Sequence, residues 1–298
     1  MSSGRAVIEI QGLTAGYGEE VILREVSFAV NEGEVFAVLG GSGCGKSTLL
    51  RHIVGLLPPR AGTVKVRGVD VHRAGGEETA RMRRDMGVLF QSGALFGSMT
   101  VAENVALPMQ EHTMLDQNII DISVKIKLEL VGLREHADKY PAQISGGMKK
   151  RAGLARALAL DPKVLFYDEP SAGLDPVTSA EIDQLILDLT KKLGVTSVVV
   201  THEMDSAFTI ADRMCMLDKG KVLMVDRREA FAALRDQPAA RLDDLTDDQQ
   251  LIRQFLRGDA QGPLTRRKAA TNYAEDLLGE LPTTFGAGPA IEPTRAMK

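Results

Sequence analysis

The run Gly40-Gly41-Ser42-Gly43-Cys44-Gly45-Lys46-Ser47 follows the spacing G-x-x-x-x-G-K-[ST], a glycine-rich loop ending in a lysine and a hydroxyl. Its chemistry is phosphate binding. The glycines let successive backbone N–H groups turn inward around β- and γ-phosphate oxygens, and a helix starting at Lys46 adds the positive end of its dipole. Lys46 is suited to pair with the same oxygens and the Ser47 hydroxyl to bind Mg2+. Gly40, Ser42, Gly43, Cys44, Gly45, Lys46, Ser47 and Thr48 are therefore the candidate nucleotide contacts of this segment. Kinases, GTPases and many ATPases all use such a loop, so other residues must choose among them.

A second candidate phosphate site lies at Ile144-Ser145-Gly146-Gly147-Met148-Lys149-Lys150-Arg151, just ahead of the helix-forming run Ala152 to Leu160. Ser145, Gly146 and Gly147 then sit at a helix N-terminus, where N–H donors lack intrahelical partners. Two separate anion sites in one chain suggest head-to-tail pairing of two copies, Ser145 and Gly147 of one reaching the γ-phosphate held by the other. The run Val164-Leu165-Phe166-Tyr167-Asp168-Glu169-Pro170 places an acidic pair at the end of an apolar strand.

With these motifs in hand, the sequence resembles the ABC transporter ATPases over about residues 6 to 225. Their LSGGQ signature corresponds here to Ile144-Ser145-Gly146-Gly147-Met148, and Met148 lacks the side-chain donor of the usual Gln. The resemblance implies that Asp168 holds Mg2+, that Glu169 polarises the attacking water, and that His202 contacts the γ-phosphate. It implies that Gln91 senses Mg2+ and water, that Tyr17 stacks on adenine, and that Asp175, in Ser171-Ala172-Gly173-Leu174-Asp175, couples two ATP sites across a dimer. ATP and Mg2+ are the implied cofactors.

The elements that must position these residues are legible as an α/β pattern. Val7 to Val30 and Gly62 to Val71 read as antiparallel strands; Val35 to Leu39, Gly87 to Phe90, Val164 to Tyr167 and Val195 to Thr201 read as short strands. Helices are expected from Lys46, over Met148 to Leu160 and over Ser179 to Leu193, an alternation that calls for a parallel sheet. For such a pattern the resemblance implies an α/β P-loop cassette with an antiparallel β subdomain, a RecA-like parallel core and a helical signature subdomain. Residues 1–225 form the expected cassette, with the helical subdomain over about 91–160; Ile119, Ile122, Ile126 and Leu130 supply its helical period. A helical segment over 226–257, including Phe231 to Phe255, and an extended tail over 258–298 complete the chain. In that tail Tyr273, Leu277 and Leu278 could form a small apolar anchor that docks on a second copy.

Composition narrows the function classes. The 298 residues carry a net charge of -4, without the basic footprint of a nucleic-acid binder. No run approaches a membrane span or a signal peptide, and the expected location is the cytoplasmic face of the inner membrane, held through a permease. Cys44 and Cys215 lack any metal or disulfide spacing and read as small buried residues.

Gln91-Ser92-Gly93-Ala94-Leu95-Phe96-Gly97-Ser98-Met99-Thr100-Val101 is small and apolar, and Leu95, Phe96 and Met99 are suited to receive a permease helix. Together with Asn104-Val105-Ala106-Leu107-Pro108 and the signature run, this segment resembles the ATPases of MCE-type phospholipid transporters. That resemblance implies permease subunits, a second copy of the chain, an MCE-domain protein and a STAS-domain subunit as partners. The alternatives are the ATPase of an importer of small polar solutes, a soluble ABC ATPase without a permease, and a catalytically silent assembly subunit.

Overall fold

The computed structural model describes residues 4–238, 242 and 244–265. The anchor residues Tyr273, Leu277 and Leu278 lie outside the described residues.

Two sheets organise the chain. The first is antiparallel, in the order β2-β1-β4-β5, from β1 (Ala6–Tyr17), β2 (Glu20–Asn31), β4 (Ala61–Val66) and β5 (Val69–Asp70). The second has the order β10-β9-β3-β8-β7-β6, from β3 (Val35–Leu39), β6 (Met86–Leu89), β7 (Val164–Asp168), β8 (Thr196–Thr201), β9 (Arg213–Asp218) and β10 (Lys221–Arg227). Pairing is parallel from β9 through β6, and only β10 runs antiparallel to its neighbour.

Strands covered on both faces need apolar residues at every position, and β3 is buried throughout. Phe36 and Val38 join the core shared with the antiparallel sheet, where the Phe28 and Phe36 rings stack with centroids 5.3 Å apart. Ala37 and Leu39 face the opposite way, toward Phe231, Ile252 and Leu256. The same alternation divides β7, with Val164 and Phe166 on one face and Leu165 and Tyr167 on the other. Each such side chain is worth roughly 1.5–3 kcal/mol of burial, so the strand ends carrying the acidic pair are firmly held.

Nine α-helices are seen among the described residues. They are α1 (Lys46–Ile53), α2 (Gly76–Arg84), α3 (Val101–His112), α4 (Gln117–Leu130), α5 (Gly146–Ala157), α6 (Pro176–Leu193), α7 (Met204–Ile210), α8 (Arg228–Arg235) and α9 (Asp247–Arg257). The lobe between β6 and β7 is built from α3, α4 and α5. Thr100 opens it with a capping box, its hydroxyl accepting from the Glu103 N–H while the Glu103 carboxylate takes the Thr100 N–H.

Two of the expected helical stretches gain detail from the structure. The stripe Ile119, Ile122 and Ile126 is exposed; the face of α4 that packs inward carries Ile120, Val124, Lys127 and Leu128. Both stripes have helical period, and the one beginning at Ile120 matches the surface offered by α3 and α5. Among the described residues, Phe231 to Phe255 takes in the end of α8 and most of α9, and Thr246 opens α9 with its own box to Gln249.

Candidate functional site

The phosphate loop joins β3 to α1, and Gly45 shows why its glycine is needed: φ is +110°, and a Cβ there would lie 2.7 Å from Leu23 Cδ2. No side chain caps α1, whose first turn is left to face the loop. Lys46 is buried and turns back over the loop, donating to the carbonyls of Gly40 at 2.8 Å and Gly41 at 3.1 Å. Its Nζ also lies 3.8 Å from Glu169 Oε1.

Across the sheet, β7 delivers Asp168 and Glu169, and β8 delivers His202. Ser47 Oγ donates to Asp168 Oδ1 at 3.4 Å. Burial and the neighbouring Glu169 charge hold the Asp168 carboxyl above the usual carboxylate range, opposed by the Ser47 hydrogen bond and by Arg51 and Lys46. A hydroxyl and a desolvated carboxylate side by side are hard oxygen donors, which fit a Mg2+ ion that keeps most of its ligands as phosphate and water.

Glu169 is buried, and its Oε2 accepts from the His202 backbone N–H at 3.3 Å and meets His202 Nδ1 at 2.8 Å. Its backbone is left-handed, φ +50°, which for a residue with a side chain costs of order 1–3 kcal/mol and persists only where the surroundings over-determine it. The structure thus gathers Lys46, Ser47, Asp168, Glu169 and His202 into one cluster at the ends of β3, β7 and β8.

The other candidates are carried by other elements. Gln91 is exposed just beyond β6. Tyr17, 39% exposed at the end of β1, accepts from Arg51 on α1 at 2.8 Å, which ties its ring to the phosphate-loop helix. Asp175 caps α6, accepting from the Val177 and Thr178 N–H groups at 3.1 and 3.0 Å. Ser145 caps α5, its Oγ accepting from the Met148 N–H at 3.2 Å, with Gly146 beside it on the surface and Gly147 buried. Phe96 is half exposed in a cleft of about 820 Å3 that also involves Phe90, Leu107 and Pro108; Leu95 packs against the helical core instead.

Sequence reasoning missed Lys150 and Arg51. Lys150 is buried and donates to the Glu169 carbonyl at 2.8 Å. A signal was present: Gly147, Lys150 and Leu154 share the i, i+3, i+7 spacing of the inward face of α5.

A family model described as "ABC transporter" matches residues 23–172. The chain belongs to the ABC transporter ATP-binding family. It is 39% identical over 91% of its length to the intermembrane phospholipid transport system ATP-binding protein MlaF of Haemophilus influenzae, covering 98% of that protein. It is also 41% identical to the probable ribonucleotide transport ATP-binding protein mkl of Mycobacterium leprae, over 90% of this chain and 74% of that one. Among solved structures, a dimeric post-hydrolysis state of the ATP-binding cassette MJ0796 bound to ADP and Pi aligns with a TM-score of 0.67 at 32% identity, over 74% of this chain and 98% of that chain. The chain is accordingly an ATP-binding cassette that hydrolyses ATP, with the mixed α/β architecture of such cassettes. No helix among the described residues is long and apolar enough to cross a membrane.

Proposed function

We propose that two copies of this chain bind Mg-ATP head to tail and hydrolyse it to drive phospholipid transport through a separate permease. The observation that carries the hydrolytic part is the placement of Glu169, a buried carboxylate lying between Lys46 at 3.8 Å and His202 at 2.8 Å. In this reading the loop N–H groups of residues 40–48 and Lys46 hold the phosphates, Ser47, Asp168 and Gln91 would hold Mg2+, and Tyr17 packs on the adenine. Mg2+ would neutralise charge on the β- and γ-phosphates. Glu169 accepts a hydrogen bond from the attacking water, and His202 orients Glu169 and the terminal phosphate. Ser145, Gly146 and Gly147 of the second copy close on the same phosphate, and Asp175 lies at that seam. ATP and water become ADP and inorganic phosphate.

The phospholipid assignment draws support from the relatives named for intermembrane phospholipid transport, which match along nearly their whole length. Such a cassette works against permease subunits, with Phe96 and its cleft as the dock, and with an MCE-domain protein and a STAS-domain subunit in the same assembly at the inner membrane. The mkl relatives favour a second reading, ribonucleotide transport. Reconstitution with the cognate permease in vesicles separates the two, by ATP-dependent movement of labelled phospholipid or of labelled ribonucleotide.

Glu169→Gln tests the hydrolytic reading. The amide keeps size but polarises water poorly, so turnover falls about 10²–10⁴-fold while ATP binding is retained and ATP-bound dimers accumulate on size-exclusion. Near-parental turnover in this variant would refute the assigned role of Glu169.

A further inference from the structure

Lys150 is a buried cation that the chemistry above leaves unused. It is 5% exposed, on the inward face of α5, and its ammonium reaches out of the helical lobe to the backbone carbonyl of Glu169 at 2.8 Å. The same carbonyl accepts from the Ala172 N–H at 3.3 Å, and the Glu169 N–H donates to Val200 at 2.9 Å. Lys150 is thus the side chain that completes the hold on a residue whose left-handed backbone, φ +50°, is not self-sustaining. Burial lowers the Lys150 pKa, while the charges of Glu169, Glu203 and Asp168 oppose that shift. A lysine has no packing reason to be there; an apolar side chain would bury at lower cost.

We propose that Lys150 is a positioning residue for ATP hydrolysis, fixing the main chain of Glu169 so that its carboxylate stays aimed at Lys46 and the phosphate loop. This rests on Glu169 acting as the water-polarising carboxylate. Lys150 follows Ser145 by about one and a half helical turns on α5. One rigid helix therefore carries the contact offered to the partner's nucleotide and the anchor of its own subunit's Glu169. Movement of α5 as two copies close is transmitted to the carboxylate through this hydrogen bond.

The test compares Lys150→Met, which keeps the stem and loses the donor, with Lys150→Gln, which restores an N–H donor without the charge. For the full chain, steady-state ATP hydrolysis, Kd for a fluorescent ATP analogue and Tm are measured, with Glu169→Gln alongside. The expected result for Lys150→Met is kcat lowered about 10- to 100-fold, the scale of a misplaced catalytic group, with KM and Kd within about twofold of the parent and Tm not lowered. Lys150→Gln recovers most of kcat. Parental kcat in Lys150→Met overturns the proposal. So does a joint loss of Tm and ATP binding in both variants, which marks a structural brace, or a folded Lys150→Gln as slow as Lys150→Met. Normal turnover in Glu169→Gln instead removes the reading beneath it, whatever Lys150 does.

Discussion

Helices α1 and α5 both present their N-termini as candidate phosphate sites, and they are built in opposite ways. The cap of α1 is Gly45, which offers no side chain, and Lys46 is folded inside the loop against the carbonyls of Gly40 and Gly41. The cap of α5 is Ser145, whose oxygen already accepts from Met148, on an exposed edge of the helical lobe. The first terminus has no side-chain cap and leaves its backbone donors open, as a site for an enclosed anion requires. The second has satisfied one donor internally, and what remains to offer outward is the Ser145 hydroxyl proton and the N–H groups of the two glycines. Such a terminus is complete as structure without a ligand, which suits a contact made only when a second copy arrives.

The largest effect that tests this contrast is expected at Lys46. Removing its charge with Lys46→Ala takes away a charge-assisted contact worth about 1.5–3 kcal/mol, or roughly 10- to 150-fold in nucleotide affinity. The fold is expected to hold, because the loop conformation is set by its glycines. Equilibrium binding of ATP to the full chain reads this, and unchanged affinity would mean that the enclosed loop is not where the nucleotide is held.

Gly147 comes next, and its effect is on stability first. A Cβ at this buried position would lie 2.5 Å from Thr178 Cγ2, on the helix that Asp175 caps. Gly147→Ala is therefore expected to destabilise by about 1–3 kcal/mol, as overpacked cores do, with Thr178→Ser in the same chain relieving part of the loss. Thermal unfolding of the two variants decides whether this glycine serves the packing of α5 on α6 as well as the approach of phosphate.

The packing demand on Gly147 marks where sequence reading stopped. The loop from Gly40 to Ser47 was legible because its glycines, lysine and hydroxyl answer one local demand, and β3 and β7 because strands buried on both faces must be apolar throughout. Strands β9 and β10 were passed over although Met214, Cys215, Met216 and Leu217 form a buried run before Gly220. Their place depends on pairing of β9 with β3, some 177 residues away in the chain, which no local pattern specifies. The inward face of α4 was not legible for a related reason: two apolar stripes share one helix, and only the packing of α3 and α5 selects between them. Lys150 and Gly147 are long-range residues too. Each is set by one atom on another element, the Glu169 carbonyl or the Thr178 methyl, so residue type and local spacing alone understate them.

The smallest expected effect is at Ser145, and it sharpens the contrast most because two functions of one side chain can be separated. As the cap of α5, Ser145 contributes about 0.5–2 kcal/mol, so Ser145→Ala is expected to lower Tm by a few degrees, roughly 2–4 °C per kcal/mol in a chain of this size. Ser145→Asp keeps an acceptor for the Met148 N–H and favours the positive end of the helix dipole, so Tm is expected to return to the parental value. The carboxylate, however, has no proton to donate and repels phosphate. If the hydroxyl proton meets the partner's γ-phosphate, Ser145→Asp loses ATP-driven dimerisation while each copy still binds ATP through its own loop. Ser145→Thr, which keeps both acceptor and proton, retains dimerisation. Analytical ultracentrifugation of Glu169→Gln carrying each Ser145 substitution, with and without Mg-ATP, separates these outcomes. Dimers of undiminished stability with Ser145→Asp would leave Ser145 a helix cap alone and assign any contact across the seam to the glycine N–H groups.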